Sequence, residues 1–141
     1  EMKTWRLLLA SAWLLGCTAV NAAADGVPTD GLPADWDAVM GEVDRACGDL
    51  DRLLLEKPQG DLATAALRAD RAAAVVRLGY GALEDRTVPD FAQLARDCES
   101  WFLQVALEAR QGRGELAADR YRTGYERHCN RCHDAHDRVH G

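Results

Sequence analysis

Very little in this chain favours a β-sheet. Its 141 residues include only four prolines, its β-branched residues are too scattered to line strands, and Ala, Leu, Arg and Glu abound, a composition that favours helix. No run of Lys or Arg occurs, and the formal net charge of −6 with a pI near 5.1 argues against a phosphate-neutralising surface, so nucleic acid is excluded as a partner. G-x-S-x-G, H-E-x-x-H and a Gly-rich phosphate loop are all missing, and the Asp and Glu residues fall where solvated helix faces are expected. No hydrolytic constellation is left, and the chain is not expected to be an enzyme. A Lys/Arg-rich polar face for membrane-surface binding is missing too. The length fits one domain.

The one long apolar stretch lies at the start. Lys3 and Arg6 precede a run from Leu7 to Leu15 that weakens towards Val20 and gives way to Asn21-Ala22-Ala23-Ala24-Asp25. Such a run is too short for a membrane span, and the small residues offer a cleavage site, so residues 1–24 read as a signal peptide cut after Ala24. A second reading is open: Leu14-Leu15-Gly16-Cys17 resembles a bacterial lipoprotein box, in which Cys17 would carry the lipid anchor. Both readings export the domain 25–141, placing it in a bacterial periplasm. That domain is small and acidic, and a domain of this size buries only about two-thirds of its unfolded surface, so a bound cofactor would help to hold it together.

Four helical stretches follow the leader. From Asp35, the positions Trp36, Met40, Val43, Cys47, Leu50 and Leu54 alternate spacings of four and three and predict a first helix, which Lys57-Pro58-Gln59-Gly60 ends. Asp61 is placed to cap a second, whose Leu62, Ala65, Ala69, Ala72 and Val76 form a small-residue face ending near Gly79. Thr87-Val88-Pro89-Asp90 reads as the next helix start, and Phe91, Leu94, Cys98, Trp101, Val105 and Ala109 carry its stripe to Gln111-Gly112-Arg113-Gly114. The fourth runs from about Glu115 through Leu116, Tyr121 and Tyr125 to about Arg138. Helices of four to six turns with short loops predict an all-α protein, an antiparallel four-helix bundle.

The chemistry lies near the C-terminus. Cys129-Asn130-Arg131-Cys132-His133 is a C-x-x-C-H sequence, the pattern of covalent c-type haem attachment. On a helix, positions i, i+3 and i+4 share a face, so both thiols can meet the two vinyl groups of one porphyrin while the imidazole reaches the iron. Two other readings exist. A thioredoxin-like redox pair needs a strand-to-helix setting that an all-α chain lacks. A structural zinc site could take Cys129, Cys132 and two of His128, His136 and His140, and the domain would then be a non-haem interaction or metal-storage module. Export strengthens the haem reading, because a free C-x-x-C in an oxidising compartment tends to close as a disulfide.

With the haem motif near the end of a short, exported four-helix chain, the sequence resembles the class II c-type cytochromes, the cytochrome c′ group and its low-spin relatives; most other small c-type cytochromes carry the motif near the N-terminus. The resemblance implies a haem c within the bundle, tethered by Cys129 and Cys132, with His133 as axial ligand and a residue of the first helix facing the other side of the iron. Met40, the only methionine after the leader, stands at about that place. Ligation by Met40 would close the site and raise the potential, which suits one-electron transfer; a Met40 that only packs nearby would leave the iron open to NO or CO. Trp36 and Arg138 are further candidate neighbours of the haem. The family often has Arg one turn before the distal residue, where this chain has Trp36. It commonly has an aromatic residue and then Arg beyond the ligating His, where this chain has His136 and Asp137, with Arg138 one place later. His128, His136 and His140 are expected to be solvated, although His136 could act as a proton-linked modulator.

Cys47 and Cys98 are left over. They stand at similar heights on the first and third helices, which are diagonal in a square bundle, so either a disulfide or two small buried apolar residues is consistent with them. The expected function is a one-electron carrier whose acidic surface docks on a basic patch of its redox partner, at a rate that falls with salt. Family members are often dimers, and a homodimer is compatible with this sequence.

Overall fold

Two aspartates set the first two helix starts as their sequence contexts suggest. Asp35 accepts from the backbone N–H of Ala38 at 2.9 Å, and Asp61 accepts from that of Thr64 at 2.9 Å and from its hydroxyl at 2.6 Å. Each satisfies a donor that the first helical turn leaves unpaired. The computed structural model describes residues 35–83 and 87–140, and the expected leader, with Cys17, lies outside them.

Among the described residues the chain forms four helical rods and no strand. Helix α1 (Trp36–Leu50) continues through a π-helical turn, Asp51–Leu55; α2 is Leu62–Leu83; α3 is Phe91–Arg110. The last rod joins α4 (Gly114–Tyr125), a second π-helical turn (Glu126–Asn130) and α5 (Arg131–His140). The protein is an all-α helical bundle, as its composition suggests.

Consecutive rods pack side by side, and the pairs that join them rise in number on one helix as they fall on the next. Asp49 pairs with Arg68 and Glu42 with Arg71 between α1 and α2; Asp70 pairs with Arg110 and Arg77 with Glu99 between α2 and α3. Between α3 and α4, Glu108 holds Arg113 and Arg120, and Gln104 accepts from Arg120.

The main core lies along the bundle. Ala65, Ala69 and Ala72 of α2 are fully buried, and the small face lets the helix come close to α1. At Gly79 a Cβ would stand 2.8 Å from Val39, so glycine is needed for packing there. The small-residue face ends near it, but α2 runs on to Leu83. Tyr121, Phe102, Leu50 and Leu54 are the largest fully buried side chains. Tyr121 donates its hydroxyl to the carbonyl of Cys47 at 3.0 Å, so α4 is tied to α1 through the centre. The fourth rod runs through Leu116, Tyr121 and Tyr125 as expected; Leu116 and Tyr125 are exposed, and the buried positions of α4 are Gly114, Ala117, Ala118, Tyr121 and Gly124. Small residues face inwards there because the loop and α3 come so near. A Cβ at Gly114 would lie 1.6 Å from the carbonyl oxygen of Pro58, and one at Gly124 would lie 2.0 Å from Trp101 Nε1.

The start of α3 also differs. Thr87 does not open the helix; residues 87–90 form a turn, and Asp90 occupies the cap position in the left-handed region at φ 59° with no side-chain cap bond. Val88, expected within the first helical turn, is instead folded inwards, and the Phe91 N–H reaches its carbonyl at 3.3 Å. Burying Val88 beside Phe91 takes precedence over the capping pattern.

Candidate functional site

Beside the main core is a second, smaller one. Val88, Phe91, Leu94 and Ala135 are buried together, and Trp36, Tyr80 and Cys132, each half-buried, pack against them. Trp36 meets Phe91 edge to face with ring centroids 5.2 Å apart, and Tyr80 lies 6.4 Å from the same ring. This cluster brings the start of α1, the end of α2, the start of α3 and the terminal helix to one end of the bundle. The C-x-x-C-H sequence is at that end.

The motif straddles the junction between the π-helical turn and α5, and π turns are frequent at functional sites because they rotate the following side chains relative to a plain α-helix. Cys129 is half-buried against the main core, Cys132 is half-buried against the second cluster, and His133 is exposed. Both thiols are free, as are Cys47 and Cys98. Met40 and Trp36 lie on α1, half-buried and packed on the main core, Met40 about 10 Å of helix from Cys47. Helix α1 packs on α2 and its π-helical extension packs against α4, but α1 and α5 share no extended packing. Thus the sequence-derived residues Trp36, Met40, Cys129, Cys132 and His133 lie on the first and fourth rods, which meet through α4 and the π-helical extension of α1 but not through extended packing of α1 on α5.

Arg138 is placed differently. It lines an open recess of about 460 Å³ with Arg131, Asp134, Pro89, Asp90 and Leu94, and His133 is not part of that wall. Five residues along a helix separate Arg138 from His133, which puts them on different faces. His136 is exposed and lies 3.6 Å from Asp137. His128 departs from the expected solvated state: half-buried, it stacks on Trp101 at 5.6 Å, and burial holds its pKa below the ordinary imidazole value, against the opposing charge of Asp97. Trp101 in turn donates to the Arg120 carbonyl at 3.0 Å and stacks on Tyr121 at 5.7 Å. The π-helical turn that presents Cys129 is therefore backed by an aromatic stack, a role that could not be read from an isolated Trp and His in the sequence.

The leftover cysteines are both buried, and no disulfide joins them. Burial, reinforced by the nearby Cys129, pushes the Cys47 thiol up to about 12. Hydrogen bonding with Cys129 and then burial raise the Cys98 pKa, while the same interaction lowers that of Cys129 against the opposing effect of burial. Cys132 is raised by burial and by Cys129. The spacing on α3 marks Cys98 as a core position but gives no sign that its neighbour is the first motif cysteine.

No group of three or more His, Cys, Asp or Glu side chains among the described residues is disposed to hold a metal ion, so the ligand set of the zinc reading is not assembled. No helix among them is long and apolar enough to cross a membrane. Comparison of the chain with family models, curated proteins and solved structures finds no match.

The donor set fits a haem. Thioether attachment needs two reduced thiols, and both are present at one bundle end among aromatic and aliphatic side chains. Axial ligation needs an uncommitted imidazole, and His133 is exposed directly after Cys132.

Proposed function

We propose that this protein is an exported, single-haem c-type cytochrome of the class II kind, acting as a one-electron carrier. The observation that carries this reading is the pair of free thiols, Cys129 and Cys132, where the fourth rod passes into α5, which shares no extended packing with α1, followed by the exposed His133. Cys129 and Cys132 would hold the porphyrin, and His133 would bind its iron. Met40, half-buried on α1, would be a further ligand to that iron. When bound, haem supplies a reversible one-electron couple, and thioether ligation raises its potential.

The chain's own residues have three tasks in this reading. Trp36, Tyr80 and Phe91 exclude water from the motif end. The Trp101–His128 stack keeps the turn before Cys129 in place. The net charge of −6 over the chain, with no run of basic residues, favours a partner with a basic patch in a periplasm-like compartment.

Mass spectrometry of acid-denatured protein, expressed with its leader and a haem-attachment system, tests the tether: the haem mass is expected to stay on the chain and to be lost in Cys129→Ser/Cys132→Ser. The ferrous visible spectrum with and without CO tests the second ligand. A low-spin spectrum unchanged by CO is expected, and Met40→Ala is expected to turn it into a CO-binding form. A high-spin wild-type spectrum that shifts with CO would replace electron transfer by binding of NO or CO at an open iron.

A further inference from the structure

Cys98, one turn before Trp101 on α3, and Cys129, the residue after His128, flank the Trp101–His128 stack, whose rings lie 5.6 Å apart. Cys132, one turn along, packs into the second cluster with Phe91 and Ala135, whereas Cys129 lies against the main core. The Cys98 and Cys129 thiols also act on each other's titration, Cys98 being raised and Cys129 lowered. Cys98 is buried in the same cluster against which Cys129 packs, and α3 runs alongside both the π-helical turn and α5. Cys47, the other buried thiol of this core, is carried by α1, and its carbonyl is engaged by Tyr121. A third thiol thus competes for the first attachment cysteine across two helices.

We propose that Cys98 and Cys129 form a thiol–disulfide exchange site, whose oxidised state cross-links α3 to the C-terminal rod and withdraws Cys129 from haem attachment. The oxidant is a small-molecule or protein disulfide, such as an exporting compartment provides. Half-buried Cys129 is the accessible member. Its thiolate attacks one sulfur of the external disulfide, forming a mixed disulfide and releasing one thiol. The Cys98 thiol, losing its proton, then attacks the Cys129 sulfur and expels the second. Two protein thiols and one external disulfide become one protein disulfide and two external thiols. The external disulfide takes up the two electrons, and the two thiol protons leave on the released thiols. Haem attachment then waits on reduction of this bond, a consequence that rests on the haem reading; the cross-link itself does not.

The test uses the full chain, made without haem attachment, reduced, and then incubated with oxidised glutathione. Proteolysis without reduction and mass spectrometry are expected to give a Cys98–Cys129 peptide as the main product, with Cys132 left free. A dominant Cys129–Cys132 or Cys47–Cys98 peptide, or stable glutathione adducts with no internal bond, would overturn the proposal. In Cys98→Ala and Cys98→Ser chains, the glutathione is expected to stay on Cys129 or to be displaced by Cys132. In the exported protein, the same substitutions are expected to raise the fraction of chains that carry haem under oxidising growth and to leave it unchanged when a reductant is supplied. Failure of haem to attach under any condition would sink the cytochrome reading and leave the disulfide map standing. A wild-type yield insensitive to oxidant, with haem attached normally, would overturn the gating role.

Discussion

The two cores of this bundle are built differently. The main core is filled by polypeptide alone: Tyr121, Phe102, Leu50 and Leu54 are fully enclosed, and glycines stand wherever a Cβ would collide. The second cluster has four buried residues, its aromatics Trp36 and Tyr80 are only half covered, and α1 and α5, which both contribute to it, share no extended packing. A chain that seats Gly124 against Trp101 in one region is able to pack tightly, so looseness at the other end is a local property of that end. It coincides with the C-x-x-C-H sequence, where the haem proposed above would complete the enclosure.

Removing the main anchors of each core gives the widest separation. Trp101→Ala is expected to cost about 4 kcal/mol, because it deletes a buried indole stacked on Tyr121 and His128. Trp36→Ala in the haem-free chain is expected to cost only about 1 kcal/mol. Urea unfolding of both variants measures this, and equal losses would erase the contrast.

Adding a methyl group separates the regions next. Gly124→Ala pushes a Cβ into the Trp101 ring and is expected to cost about 3 kcal/mol. Gly81, near the end of α2, has nothing within 4 Å, and Gly81→Ala is expected to be stabilising by about 0.5–1 kcal/mol through helix propensity alone. Thermal unfolding of the two variants would show shifts of opposite sign.

A smaller effect is expected at the α3–α4 turn. The Glu108 side chain is 8% exposed and pairs with Arg113 and Arg120, both far more open to solvent. Solvent screening of the two guanidinium groups limits the cost of Glu108→Ala to about 1–2 kcal/mol. High salt is expected to narrow the gap between variant and wild type.

The smallest effect is confined to alkaline conditions. Burial raises the Cys47 thiol from 9.0 to about 12 in the folded protein, so the fold favours the neutral thiol. That contribution is complete below pH 9 and is lost as the pH rises through 9 towards 12, since the unfolded chain releases the proton first. Cys47→Ala is expected to lower stability at neutral pH and to flatten its decline between pH 9 and 11, measured as urea midpoints. A decline as steep as in the wild type would assign the alkaline sensitivity to Cys98 and Tyr121, whose pKa values burial also raises.

Much of this architecture is legible in the residue pattern. The stripe on α3 is buried at every position from Phe91 to Ala109, and the aspartate caps act as their chemistry requires. Boundaries depend instead on contacts between distant segments. Gly79 looks like a helix end because glycine weakens helices, yet it lies inside α2, where packing against Val39 needs glycine. Thr87-Val88-Pro89-Asp90 looks like a cap, yet Val88 is drawn into a cluster that only the folded chain assembles. The attachment motif is local in sequence and therefore visible. Most of its surroundings, Tyr80 on α2 and Phe91, Cys98 and Trp101 on α3, come from two other stretches of chain, and no short-range spacing announces them.

The π-helical turn Glu126–Asn130 adds a geometric consequence. A π turn takes up one more residue than an α turn before the chain returns to the same face, so the same five residues wound as plain α-helix would carry the chain further around the axis. Everything downstream would then swing by about 100° around the helix axis relative to α4. Tyr121 would keep its bond to the Cys47 carbonyl, while Cys132 and Ala135 would turn out of the aromatic cluster. Five residues thus act as an angular gauge that sets the direction of the motif independently of the core that anchors its rod.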